Sequence, residues 1–135
     1  MRHPQLLVYE ADGRLAEWLR PTAEERRWAL REPRQLGECL GLLRRGGPAA
    51  LVLKVGRDLE RELNLLEQVA WLFPETATVV VGDSDHAALA GLAWDLGAHY
   101  VLVPPHSRER LLEIVLGAMS TGPGLARETG QARGP

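Results

Sequence analysis

The chain of 135 residues is short of lysine, cysteine and aromatic groups, and each shortage excludes something. Its 16 basic residues include a single lysine, Lys54, so any chemistry that needs an ammonium group has one place to be. A single cysteine, Cys39, excludes an internal disulfide and reads as a packing residue. His3, His86, His99 and His106 stand at no metal-ligand spacing from one another or from Cys39, so no metal site is expected. No apolar run approaches the ~20 residues of a membrane span, and the opening residues lack the charged-then-apolar order of a signal peptide. A cytoplasmic location is expected. Neither sign of charge is in excess. At a net −2, no overall positive field draws the chain to nucleic acid or to an anionic membrane. Gly13 and Gly56 are isolated, so no phosphate-cradling loop and no nucleotide or flavin cofactor is expected.

What is present is the composition of one globular domain. At 45% hydrophobic and 25% charged, the chain has enough apolar surface to bury a core of its own. Short apolar runs alternate with helical spacings, the signature of βαβ units and a parallel sheet. The runs are Leu6-Leu7-Val8-Tyr9, Trp28-Ala29-Leu30, Leu51-Val52-Leu53, Val79-Val80-Val81 and Tyr100-Val101-Leu102-Val103. Nearly continuous runs of this kind suit strands covered on both faces.

Between them, Leu59, Leu63, Leu66, Val69, Ala70 and Phe73 recur at helical spacing and Pro74 ends the pattern. A helix over residues 85–96 places Leu89, Leu92, Ala93 and Leu96 on one side and Trp94 almost opposite, and Gly97 stops it. Leu36, Leu40 and Leu43 mark another helix. Ser107 caps a last one that holds Leu111, Ile114, Val115 and Met119. The first helix is expected to be short, barely two turns, because Pro21 follows so soon. The domain is therefore expected over 1–119, with 120–135 a disordered tail or linker too poor in apolar groups to offset its ordering entropy.

Five βα units in ~120 residues predict a flavodoxin-like doubly wound α/β sheet, five parallel strands in the order 2-1-3-4-5 with helices on both faces. Sites in such sheets lie beyond the C-terminal strand ends, at the switch point between strands 1 and 3. Lys54 falls at that end of strand 3.

At this level of pattern the chain resembles the receiver (CheY-like) domains of bacterial two-component response regulators. The stretches that carry the likeness are LREPRQLGECLGLLRRGGPAALVLKV and LGAHYVLVPPHSRERLLEIVLGAM. The second is similar to a receiver's Gly-Ala-x-x-Tyr-Leu-x-Lys-Pro-x-Ser segment, with Pro105 matching its proline. The resemblance implies a signalling module of phosphorelays. In that family an aspartate ending strand 3 accepts a phosphoryl group, an acidic pair after strand 1 helps to hold Mg²⁺, and a hydroxyl and a lysine bind the phosphoryl oxygens.

Carried over residue by residue, the nucleophile position falls on Lys54, the acidic pair on Glu10 and Ala11, the hydroxyl on Gly82 and the lysine on Pro104. A shift of strand 3 by one residue offers only Leu53 or Val55, whereas Ser84 and Asp12 remain open as near substitutes for two of the other groups. An ammonium has no oxygen to phosphorylate and repels Mg²⁺. The resemblance therefore implies a degenerate pseudo-receiver, not an enzyme, that acts through a protein partner or as a homodimer. For Lys54 two readings stand: a built-in counter-charge facing Glu10, or a strand-end lysine whose stem packs while its ammonium reaches water.

Receivers usually signal through the face of helix 4, strand 5 and helix 5. Here that face is expected to carry an exposed Trp94 with His99, Tyr100, Arg108 and Arg110. Trp18, Trp28 and Trp71 are expected to pack at the flanks of apolar faces. Asp83-Ser84-Asp85-His86 is read as a helix-capping turn rather than a catalytic group. Two other function classes stay open: a flavodoxin-like domain that holds a cofactor or metabolite in the crevice, and a receiver phosphorylated on another residue.

Overall fold

The computed structural model describes residues 4–10, 13–45, 49–82, 87–104 and 107–128. The elements follow in strict alternation: β1 (Gln5–Tyr9), α1 (Arg14–Arg26), β2 (Ala29–Arg31), α2 (Leu36–Arg45), β3 (Ala49–Val55), α3 (Leu59–Leu72), β4 (Ala77–Gly82), α4 (Ala87–Asp95), β5 (Tyr100–Leu102) and α5 (Arg108–Glu128). All strand pairs are parallel, in the order β2-β1-β3-β4-β5, as the sequence predicts.

The period of two along each central strand divides the core into layers. Leu6 and Val8 of β1, Ala50 and Val52 of β3, and Val79 and Val81 of β4 face Leu15 and Leu19 of α1 and Leu111 and Val115 of α5. Their neighbours Leu7, Leu51, Leu53, Val55 and Val80 turn the other way, onto Cys39 of α2, Leu63 and Leu66 of α3 and Ala93 of α4. Most of these side chains are wholly buried. Each buried Leu or Val contributes on the order of 1.5–3 kcal/mol, so both layers are needed to offset the ordering of the chain.

The structure departs from the sequence reading in its first helix. Helix α1 passes through Pro21 and runs for 13 residues. The proline removes the bond to the Glu17 carbonyl, but both residues lie on the solvent side, where water can replace it. Ala23, one turn beyond Leu19, is buried on the same side and carries the helix past the proline. Arg27, at φ 60, then closes the helix: its N–H donates to the Glu24 carbonyl and the Trp28 N–H donates to the Ala23 carbonyl at 2.8 Å. Trp28 thereby belongs to the closing turn and not to β2. At the other end the backbone of α5 is helical to Glu128. Once a helix is nucleated each further residue adds a backbone bond, which apolar content does not register. Residues 129–135 lie outside the described residues.

The faces of α4 and α3 also differ from expectation. Leu92 is exposed at 45%, and Trp94 is half-buried against the layer of α2 and α3, so it is not the outward residue the wheel gave. The segment AALAGLAWD is apolar nearly all round, so periodicity alone does not orient it. Turning Trp94 inward buries more area than turning Leu92 inward. Trp71, expected to pack, is 82% exposed at the end of α3.

The short edge strand β5 is held by a side chain as well as by the ladder. The His99 N–H donates to the Thr78 carbonyl at 2.9 Å, and the Thr78 N–H donates to His99 Nδ1 at 3.0 Å. A backbone N–H can only donate, so Nδ1 carries no proton in this arrangement. The Thr78 hydroxyl lies 3.0 Å from the same nitrogen and 3.3 Å from the Gly97 carbonyl. Gly97 itself sits at φ +113, and a Cβ built there lies 2.5 Å from Ala70 Cβ.

Two expectations follow for stability in urea. Gly97→Ala strains the backbone and crowds α3, costing about 1–3 kcal/mol, whereas Gly91→Ala, with open space around it, stabilises by about 0.5–1 kcal/mol. His99→Ala leaves the buried Thr78 N–H without its ring acceptor, costs about 1–3 kcal/mol and speeds hydrogen exchange at the Thr78 amide.

Candidate functional site

The β1 and β3 strands pair from Gln5↔Ala49 to Tyr9↔Leu53. The next step of this register sets Glu10, just past β1, beside Lys54. Alternation turns both side chains toward the α1 and α5 side of the sheet, the side of Val8 and Val52. Lys54 Nζ lies 3.6 Å from Glu10 Oε2, with the lysine side chain 21% exposed and the glutamate side chain 5%. The pair sits at the switch point that the strand order creates.

Glu10 has a second task. Its Oε1 accepts a 2.7 Å bond from the Leu15 N–H in the first turn of α1. The N-cap residue, Gly13 at φ 75, has no side chain to cap the helix. A carboxylate from the end of β1 therefore does so from outside, where the positive end of the helix dipole also favours it. One side chain links β1, α1 and β3.

On the neighbouring strands, Gly82 ends β4 opposite Val55, one step beyond the Lys54↔Val81 pair, and is buried. Pro104 is half-buried just past β5. The switch point thus gathers Glu10 and Lys54, with Gly82 and Pro104 at the ends of the strands beyond. Ala11, Asp12 and residues 83–86, with their Asp, Ser and His groups, lie outside the described residues, as does Pro105.

Among the described residues the donor set does not fit a divalent cation. The described carboxylate at the switch point is engaged by an N–H and an ammonium, and the neighbouring position on β3 holds Lys54 Nζ, a cation rather than a ligand oxygen. Among the described residues no three His, Cys, Asp or Glu side chains form a metal cluster. Cys39 is buried, and burial first and Glu38 second push its thiol up to about 12, which makes it inert.

The second predicted group is not brought together as a surface. His99 is buried in the β4–β5 contact, Trp94 is half-buried on one layer and Tyr100 on the other. Arg108 and Arg110 are exposed in the first turn of α5, with Arg110 3.6 Å from Glu113. Ser107 caps that helix as expected, its hydroxyl accepting the Arg110 N–H at 3.1 Å.

Sequence reasoning missed Glu62. It is buried, and its Oε1 accepts the Gly56 N–H at 2.8 Å, which ties the end of β3 to the start of α3. Burial first and the Glu62 charge second raise the Tyr9 hydroxyl above its ordinary value. No spacing rule marks Glu62, because it lies among the charges of a first turn.

No family model matches the chain, and no curated protein matches it in sequence. Solved structures do match in shape. A response regulator from Thermotoga maritima superposes with a TM-score of 0.77 at 21% identity, over 89% of this chain and all of that one. A Burkholderia pseudomallei response regulator with a phosphorylated aspartic acid and a calcium ion gives 0.71 at 21%, over 96% of this chain and 71% of that one. The beryllofluoride-activated NtrC4 receiver domain dimer gives 0.72 at 22%, over 85% and 95%. With the 2-1-3-4-5 sheet and its five helices, these matches establish that the chain has the response regulator receiver fold.

Proposed function

We propose that the chain is a pseudo-receiver: a non-catalytic signalling module that keeps the receiver scaffold, does not accept a phosphoryl group at the strand-3 position and acts through contact with another protein or a second copy of itself. The observation that carries this reading is Lys54 at the C-terminal end of β3, paired with Glu10 across the switch point. Phosphoryl acceptance at that position needs a carboxylate oxygen as nucleophile, and an ammonium offers none. The Burkholderia relative has a phosphorylated aspartic acid and a calcium ion; here a fixed positive charge stands in the middle of the corresponding fold.

On this reading Lys54 takes over the electrostatic task that a metal ion has in a phosphorylated receiver. It neutralises Glu10 without an exchangeable ion, and Glu10 in turn fixes the start of α1. The pair adds little stability in itself, because the lysine is partly in water. Its effect is to hold one arrangement of the switch point in place of two. The output then depends on surfaces: Arg108 and Arg110 on α5 and Leu92 on α4 are among the exposed residues of the helix 4, strand 5 and helix 5 face. The NtrC4 receiver of the same fold is a dimer when activated, which supports a second copy as one form of partner.

Incubation with a small phosphodonor such as acetyl phosphate and Mg²⁺ is expected to give no phosphoryl adduct in the intact mass, for the native chain and for Lys54→Asp alike. Labelling of the variant at its new aspartate would mean that the rest of the site is intact, and would overturn the proposal. Removing the link itself is expected to weaken the fold: Glu10→Ala loses the cap of α1 and costs about 1–2 kcal/mol in urea denaturation, with fraying at the Leu15 amide seen by hydrogen exchange.

A further inference from the structure

We propose that the outer face of α3 docks an arginine-bearing segment of a partner protein, with Trp71 as the anchor. This surface is separate from the switch point and from the α4 and α5 face. Trp71 is 82% exposed and Leu72 is 55% exposed, side by side at the C-terminal end of the helix. Glu60, Asn64, Glu67 and Trp71 follow one another at spacings of four, three and four, so they form one line along the helix, and all are exposed. Apolar anchors end an acidic line.

The charge of this corner selects the occupant. Glu60 and Glu67 lie on the line and Glu75 is exposed just past the helix, while Arg61 is turned to Asp58 at 4.0 Å. The last turn of α3 has no basic residue, so its negative dipole end has no cation from its own helix. A cation is favoured there three times over: by the carboxylates, by the helix end and by the face of the indole. A guanidinium suits all three, because it stacks flat on an aromatic ring, gives up its hydration more readily than an ammonium and bonds a carboxylate with two N–H groups.

A second copy packed by a twofold axis fits less well. Pairing α3 with itself brings one line of glutamates against another, and Trp71 with Leu72 offers far less than the about 800 Å² per partner of a stable interface. A compact anchor with charge complementarity suits a short segment of another chain.

The test uses the full chain labelled with ¹⁵N and two amphipathic peptide probes of about four helical turns, one of leucine and arginine, the other with glutamate in place of arginine. The arginine probe is expected to shift the Trp71 indole N–H and the amides of residues 60–72, at low salt and much less at high salt. Trp71→Ala and Glu67→Gln are each expected to weaken it about tenfold or more, with thermal melts unchanged because both side chains are exposed. Equal response to the glutamate probe, shifts centred elsewhere, or an affinity indifferent to both substitutions would overturn the proposal. So would self-association of the peptide-free chain in sedimentation that Trp71→Ala abolishes, since that assigns the face to a second copy.

Discussion

The parallel pairing of β1 with β3 is the constraint on which the rest depends. Its register, from Gln5↔Ala49 to Tyr9↔Leu53, decides which side chains enter which core layer. A slip of one residue would turn Leu51 and Leu53 out of the layer they share with α2 and α3, and would turn Lys54 away from Glu10. The same pairing creates the switch point, because the chain leaves β1 in one direction for β2 and returns on the other side for β3. The core and the candidate site are thus set by one ladder. That is why a chain with a lysine near the C-terminal end of β3 can retain the receiver fold: the apolar residues of both core layers hold the sheet, and Lys54 and Glu10 stand at its C-terminal rim.

The sheet order and the Lys54–Glu10 meeting were legible because both follow from strand position. Leu51-Val52-Leu53 can only be a covered strand, and its C-terminal neighbour can only reach the crevice. The surfaces were less legible, for physical reasons that differ from case to case. In α4 nearly every side chain is apolar, so the wheel has no polar side to orient it, and the choice between Leu92 and Trp94 falls to tertiary packing. His99 looked like a surface residue by type, yet its ring accepts the Thr78 N–H where β5 begins, a task that composition does not announce. Pro21 argued for a short helix by local sterics, and the buried Ala23 outweighed it. For Trp71 the signal was present: its spacing from Glu67, Asn64 and Glu60 places it on the polar line of α3, and that spacing outranks the general tendency of tryptophan to pack.

These differences shift the weight of recognition within the molecule. Trp71 keeps a large apolar area in water beside exposed Leu72, the kind of anchor that interfaces favour. Trp94 and His99 serve the fold and leave the α4 and α5 side with Leu92 among mixed charges, Asp95, Arg108, Glu109, Arg110 and Glu113. The outward anchor lies instead on α3.

The two features meet in a single physical argument. A receiver that signals by phosphorylation must keep two arrangements close in free energy, so that a new charge can tip one into the other. On the proposed pseudo-receiver reading, Lys54 removes that freedom by supplying a permanent charge at the switch point, where Glu10 pairs with it and caps the first turn of α1. A domain held in one arrangement has no need to bind its partner through the elements that would otherwise rearrange. It is free to recognise through a rigid helix, and α3 is tied down at its start by the buried Glu62 bond to Gly56 and near its end by the close packing of Ala70 on Gly97. A helix so anchored presents Trp71 in one orientation, which lowers the entropic cost of docking.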